Sequence, residues 1–99
     1  MKEQSMWLKK NGICEMRYME LKCICLQYER DKRSADLKKR EKAAAVEAAA
    51  RAANASLAEF ILRNVTDRAR YEEMPVPAGI NQFFQARQRF FVELDKRVP

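Results

Sequence analysis

Apolar positions in this chain fall at helical spacing in two stretches, one near each end, with a charged and an alanine-rich stretch between them. In the first, Tyr18, Leu21, Cys25 and Tyr28 follow at intervals of three, four and three residues. Met16, Met19, Cys23 and Leu26 widen the same apolar side, so the pattern predicts a helix that needs a partner surface. From Glu29 to Lys42 only Ala35 and Leu37 are apolar, which reads as a solvated helix or a linker. Ala43 to Ala55 has the highest intrinsic helix propensity and almost no side-chain bulk. It is expected to form helix without anchoring a core, the core residues lying at the two ends.

Glycine and proline punctuate the chain only at Gly12, Pro75, Pro77, Gly79 and Pro99, so the interval from Ile13 to Met74 carries no strong helix breaker. A single helix from Ile13 to Ala53 would be about 60 Å long, too long for a compact molecule of this size. The chain is expected either to break near Ser34 or to project, and one helix or two remains open.

Beyond the alanines, Ser56-Leu57-Ala58-Glu59 has the spacing of a capping box and predicts a helix starting at Leu57. Leu57, Phe60, Ile61 and Val65 form its core side, and Asn64 is where it is expected to end. Thr66 or Asp67 would cap a short helix holding Tyr71 and Met74, stopped by Pro75. After the stiff turn Pro75–Gly79, Phe83, Phe84, Phe90, Phe91 and Leu94 recur at helical spacing, while Asn81, Gln82, Gln85, Gln88 and Arg89 share the other side. Helix, short helix, tight turn and final helix is the order of a helix-turn-helix. The expected fold is all-α: a helical arm over residues 1–55, a long helix or helix pair available for dimerisation, and a helix-turn-helix unit over residues 56–99, the whole forming one domain.

Composition sharpens this picture. Apolar residues make up 47% of the 99, but ten of them are alanines between Ala43 and Ala58. The net charge of +6 is concentrated early, with twelve Lys/Arg against seven Asp/Glu in residues 1–42, and such a balance favours polyanionic partners. Histidine is absent, which removes the usual proton shuttle, the commonest nitrogen ligand and any His-activated nucleophile. A non-enzymatic protein without cofactor or metal is expected. The odd number of cysteines, Cys14, Cys23 and Cys25, and the lack of an apolar run in residues 1–11 are read as a reducing cytoplasm and small buried thiols. Cys23 and Cys25 would sit about 200° apart on a helix, facing away from each other. No stretch approaches the ~20 apolar residues of a membrane span.

Asn and Gln pair bidentately with adenine and Arg with guanine in the major groove, so Asn81, Gln82, Gln85 and Arg89 are the candidate base-reading residues. Lys38, Lys39, Arg40, Arg68, Arg70 and Arg87 are the candidate phosphate contacts. Arg87 lies on the apolar side, between Phe83 and Phe90, and would have to reach outward to a phosphate or carboxylate.

Leu62-Arg63-Asn64-Val65-Thr66, Tyr71-Glu72-Glu73-Met74, Val76-Pro77-Ala78-Gly79 and Phe83-Phe84-x-x-Arg87-x-x-Phe90-Phe91-x-x-Leu94 together resemble small Firmicutes phage and prophage transcription regulators of the RinA/ArpU late-regulator group. The segment Arg17-Tyr18-Met19-Glu20-Leu21-Lys22 to Gln27-Tyr28 resembles the N-terminal helix of that group. The group is in turn similar to region 4 of sigma-70-type factors. This resemblance implies a DNA-binding transcription regulator whose partners are double-stranded DNA and host RNA polymerase. The last helix here departs from the group in carrying Gln82, Gln85 and Gln88 where Arg and Lys are usual. A second reading is a protein-binding antagonist from a mobile element, an anti-CRISPR-type inhibitor or a polymerase modulator, that reuses the helical scaffold on a host protein. A homodimer is expected from the apolar stripe Met16 to Tyr28 and the thin core.

Overall fold

The computed structural model describes the backbone of residues 2–99 and the side chains of residues 6–99. Six α-helices follow one another: α1 (Lys2–Lys10), α2 (Glu15–Leu26), α3 (Tyr28–Lys32), α4 (Leu37–Ala53), α5 (Ala58–Asp67) and α6 (Ile80–Arg97). Single turns of 3₁₀ helix, Ala55–Leu57 and Tyr71–Glu73, precede α5 and α6. No strand occurs among the described residues, and the fold is all-α. No helix among them is long and apolar enough to cross a membrane.

Between Ile13 and Ala53 the chain forms three helices with two breaks. At Gln27 it only pauses, the amide bonding back to the carbonyls of Cys23 and Ile24 at 3.2 and 3.3 Å. Between Lys32 and Leu37 it turns: Ser34 Oγ accepts from the Asp36 amide at 3.0 Å. Asp36 Oδ1 accepts from the Lys38 amide at 2.9 Å, an N-cap that starts α4 afresh. This is the break expected near Ser34, and principal extents of 38 × 31 × 20 Å leave no room for a helix of the alternative length. At the other end of α2, Gly12 closes the preceding turn at φ 72°, a left-handed conformation that glycine adopts without strain.

The alanine-rich helix is the centre of the core, contrary to the expectation that it would anchor nothing. Ala43, Ala45, Val46, Ala49, Ala50 and Ala53 are buried on α4, and no two elements are more extensively paired than α4 and α6. From α6, Phe83, Phe90, Phe91 and Leu94 point inward, all fully buried. Alanine contributes little transfer free energy of its own, but its small side chain lets a bulky helix approach closely. The hydrophobic gain then comes from the large rings that α4 covers. Trp7 from α1 and Tyr18 from α2 stack edge-on at 5.5 Å, and Tyr18 meets Phe91 edge-on at 5.1 Å. One continuous apolar cluster runs from Leu21 to Val98 and draws on both residues 1–55 and residues 56–99.

Around α5 the local devices differ from those expected. Asn54, not Ser56, supplies the cap, its Oδ1 accepting from the Ser56 and Leu57 amides at 3.0 and 3.2 Å. Ser56 falls inside the 3₁₀ turn, and α5 has no capping bond from its own N-cap side chain. Leu57, Ile61 and Val65 are buried as expected, while Phe60, expected beside them, is half-buried against the core. The helix runs past Asn64 to Asp67, because Arg68 takes the terminating left-handed conformation (φ 60°) and the Ala69 amide bonds the Arg63 carbonyl at 3.2 Å. Thr66 donates to the Leu62 carbonyl at 2.7 Å, and the next element has Arg70 at its N-cap, so neither Thr66 nor Asp67 caps it. That element is one 3₁₀ turn rather than a short α-helix. Glu73 closes it by accepting from the Arg70 amide at 2.9 Å, a bond that holds the Glu73 carboxyl below its usual range.

Candidate nucleic-acid interface

The final helix presents one uncovered face. Asn81, Gln82, Gln85 and Arg89 are all exposed along it and Gln88 is half-buried, which the 3.6-residue period requires once Phe83, Phe90 and Leu94 are turned inward. Phe84 does not join the buried rings as expected; it is 40% exposed beside Gln85. Behind this face α6 is held at both ends. At its start the Tyr71 hydroxyl donates to the Ala78 carbonyl at 2.5 Å, and the ring lies 5.6 Å from Phe83.

At its end the Arg17 guanidinium, from α2, donates to Asp95 Oδ1 at 2.6 Å and to the carbonyls of Val98 and Pro99 at 2.8 and 2.9 Å. Positive charge placed on the terminal carbonyls satisfies orphan acceptors and suits the negative end of the helix dipole. The hydrogen bond with Asp95 raises the Arg17 pKa still further. Nearby, the Arg97 guanidinium on Glu93, with Oε1 at 2.6 Å, holds the Glu93 carboxyl below its ordinary value.

The candidate phosphate contacts are spread over three places. Lys38, Lys39 and Arg40 are exposed in the first turn of α4. Lys42, Val98 and Pro99 line one groove, so α4 begins where α6 ends. The basic cluster therefore stands at the opposite end of α6 from Asn81 and Gln82. Arg70 flanks the start of α6, with its guanidinium 3.4 Å from Glu73. Arg68 and Arg87 lie together elsewhere. Arg87 does not flank the outer face of α6: its Nε donates to Asn64 Oδ1 at 2.6 Å, its Nη1 reaches the Tyr18 hydroxyl at 3.5 Å, and its plane covers Phe91 at 5.1 Å. Asn64 in turn donates to the Ala69 carbonyl at 2.9 Å, locking the end of α5 to α6.

A second surface was hidden in the sequence inside a single apolar stripe. The structure splits that stripe in two. Leu21, Cys25 and Tyr28 are buried, and burial pushes the Cys25 thiol up to about 12. The Tyr28 hydroxyl donates to Glu47, and desolvation, followed by that carboxylate, raises its pKa. Met16, Met19 and Leu26 are 79%, 61% and 45% exposed, and Cys14 and Cys23 are exposed too, so buried thiols describe only Cys25. The signal was present in the spacing, because residues 16, 19, 23 and 26 form their own helical line, on the side of α2 away from Leu21 and Cys25. Beside this line lies a groove of about 300 Å³ between α2, α5 and α6, with Lys22, Arg68 and Arg87 on its walls.

No protein-family model, no curated protein and no solved structure matches this chain.

Proposed function

We propose that the protein is a phage-type transcription regulator that binds double-stranded DNA through the outer face of α6. The observation that carries the reading is the set of Asn81, Gln82, Gln85 and Arg89, all exposed on one side of a helix braced from behind by buried phenylalanines. Amide and guanidinium side chains on such a face match the donor and acceptor pattern of the major groove. In this reading α6 is the recognition helix of a helix-turn-helix formed with α5. Arg70 beside the start of α6 and Lys38, Lys39 and Arg40 beyond its end would meet phosphates and set the register, contributing affinity rather than sequence preference. Arg68 and Arg87 lie apart from this face, in the groove beside α2.

Selection of duplex fragments from a random pool, followed by anisotropy titrations of the enriched sequence at two salt concentrations, tests the reading. Affinity should fall by roughly 10² between 50 and 200 mM salt, as expected for about four neutralised phosphates. Arg89→Ala should cost about 1–3 kcal/mol on the enriched sequence only, while Lys39→Ala should weaken all sequences alike and reduce the salt slope by about 1. Failure to enrich any sequence, with no binding at low salt, would remove DNA recognition from consideration.

A further inference from the structure

The line of exposed Met16, Met19, Cys23 and Leu26 on α2 lies outside the buried core and away from the outer face of α6. Its length, at 1.5 Å per residue, is about 15 Å, which matches three turns of a second helix. Methionine at two of its four positions gives a flexible, polarisable surface of the type that accepts amphipathic helices.

Charge chooses the occupant. On one flank stand Lys22, Arg68 and Arg87, bordering the groove floored by Val65 and Phe91. None of the three cations has a carboxylate within 4 Å among the described residues. Lys22 instead lies 4.6 Å over the Tyr18 ring, and Arg87 is turned to Asn64, Tyr18 and Phe91. Arg68, the residue that ends α5, is exposed. Antiparallel self-association does not relieve this arrangement. In a two-fold antiparallel pairing of α2 with a second copy, each flank meets its own copy, so Lys22 faces Lys22 and Glu20 faces Glu20. Like charges so placed are unfavourable.

We propose that this face of α2 and the adjoining cationic groove form a docking site for an acidic amphipathic helix of a partner protein. Apolar residues of that helix, spaced i, i+3 or i+4, and i+7, pack on Met16, Met19, Cys23 and Leu26. Its glutamates or aspartates, on one flank, meet Lys22, Arg68 and Arg87. The site is independent of the DNA-reading face, so each can be lost without the other.

The probe is a fluorescein-labelled helical peptide with leucines at those spacings and glutamates on one flank. It is titrated against the whole protein beside a version with lysine for glutamate and a scrambled version of the same composition. The acidic amphipathic peptide should bind at least about tenfold more tightly than either control, and Met19→Glu and Arg68→Glu should each weaken it by about tenfold or more. Both positions are exposed, and far-UV circular dichroism checks that each variant is folded. Gln85→Ala, on the outer face of α6, should leave peptide binding unchanged. Equal binding of the three peptides, or indifference to both substitutions, overturns the proposal. So does concentration-dependent dimerisation that Met19→Glu abolishes, which would make a second copy the occupant. Displacement of the peptide by a duplex oligonucleotide that loses affinity with Arg68→Glu overturns it as well, by making the groove a phosphate site.

Discussion

At the residue scale the fold depends on a few polar side chains that replace bonds the backbone cannot make. Arg17 is the most heavily used: four acceptors around the end of α6 and one on its own helix converge on a single guanidinium that is 21% exposed. Removing it strips the Asp95 carbonyl and the Val98 and Pro99 carbonyls just past α6 of their donor, and leaves the Asp95 carboxylate without its cation. Arg17→Ala should therefore lower stability by about 1–3 kcal/mol, discounted from the value for a fully buried pair because water reaches part of the site. Urea denaturation of the two proteins measures this, and a loss below experimental error would show that water replaces the guanidinium at no cost. Little of this was legible beforehand. Arg17 and Asp95 are separated by 78 positions, and a charge on an exposed-looking helix carries no mark of a partner so far away. Asn54 against Ser56 is a similar case: both residue types cap, and the choice between them depended on whether the chain took a 3₁₀ turn before α5.

At the element scale the decisive pairing is α4 with α6. Alanines at positions 43, 49, 50 and 53 are buried on α4 and let its neighbours approach closely because they are small, so these positions tolerate no added volume. Ala50→Leu, which raises helix bulk without lowering helix propensity much, should cost about 1–3 kcal/mol through overpacking. On an exposed position such as Ala52, the same change should be within about 0.5 kcal/mol. Thermal unfolding followed by circular dichroism compares the two, and equal effects would place the tight contact elsewhere. The helical character of both elements was readable from propensity and period. Their partnership was not, because hydropathy assigns alanine no preference for burial strong enough to separate a lining from a linker.

At the scale of the whole molecule, a single apolar cluster joins residues 1–55 to residues 56–99 through α4 and through the Trp7–Tyr18–Phe91 contact. An N-terminal arm and a C-terminal unit joined by so continuous a core should unfold together. Denaturant transitions followed by far-UV circular dichroism and by Trp7 fluorescence should coincide, as two-state behaviour requires. Separate midpoints would show that α1 and α2 dissociate before the α4–α6 pair. The same core explains how the candidate surfaces are arranged. Inward rotation of Phe83, Phe90 and Leu94 turns Asn81, Gln82, Gln85 and Arg89 outward, and inward rotation of Leu21 and Cys25 turns Met16, Met19, Cys23 and Leu26 outward.

Local physics alone determined that the chain is helical, that it breaks at Pro75–Gly79, and that the last helix has a polar side. Those features follow from propensity, capping and a 3.6-residue period, all of which act within a few positions. Whether the chain breaks near Ser34 or projects was left to the tertiary structure. Only the tertiary structure decided that the alanine helix is the hub, and that Arg87 meets Asn64 and Phe91. It alone also divided one apolar stripe on α2 into a buried line and an exposed one. Each of these depends on which surfaces meet across dozens of residues, where the relevant quantities are shape, volume and charge at a contact. Periodicity records that a face is apolar; the neighbour it finds determines whether that face becomes core or a place for something else to bind.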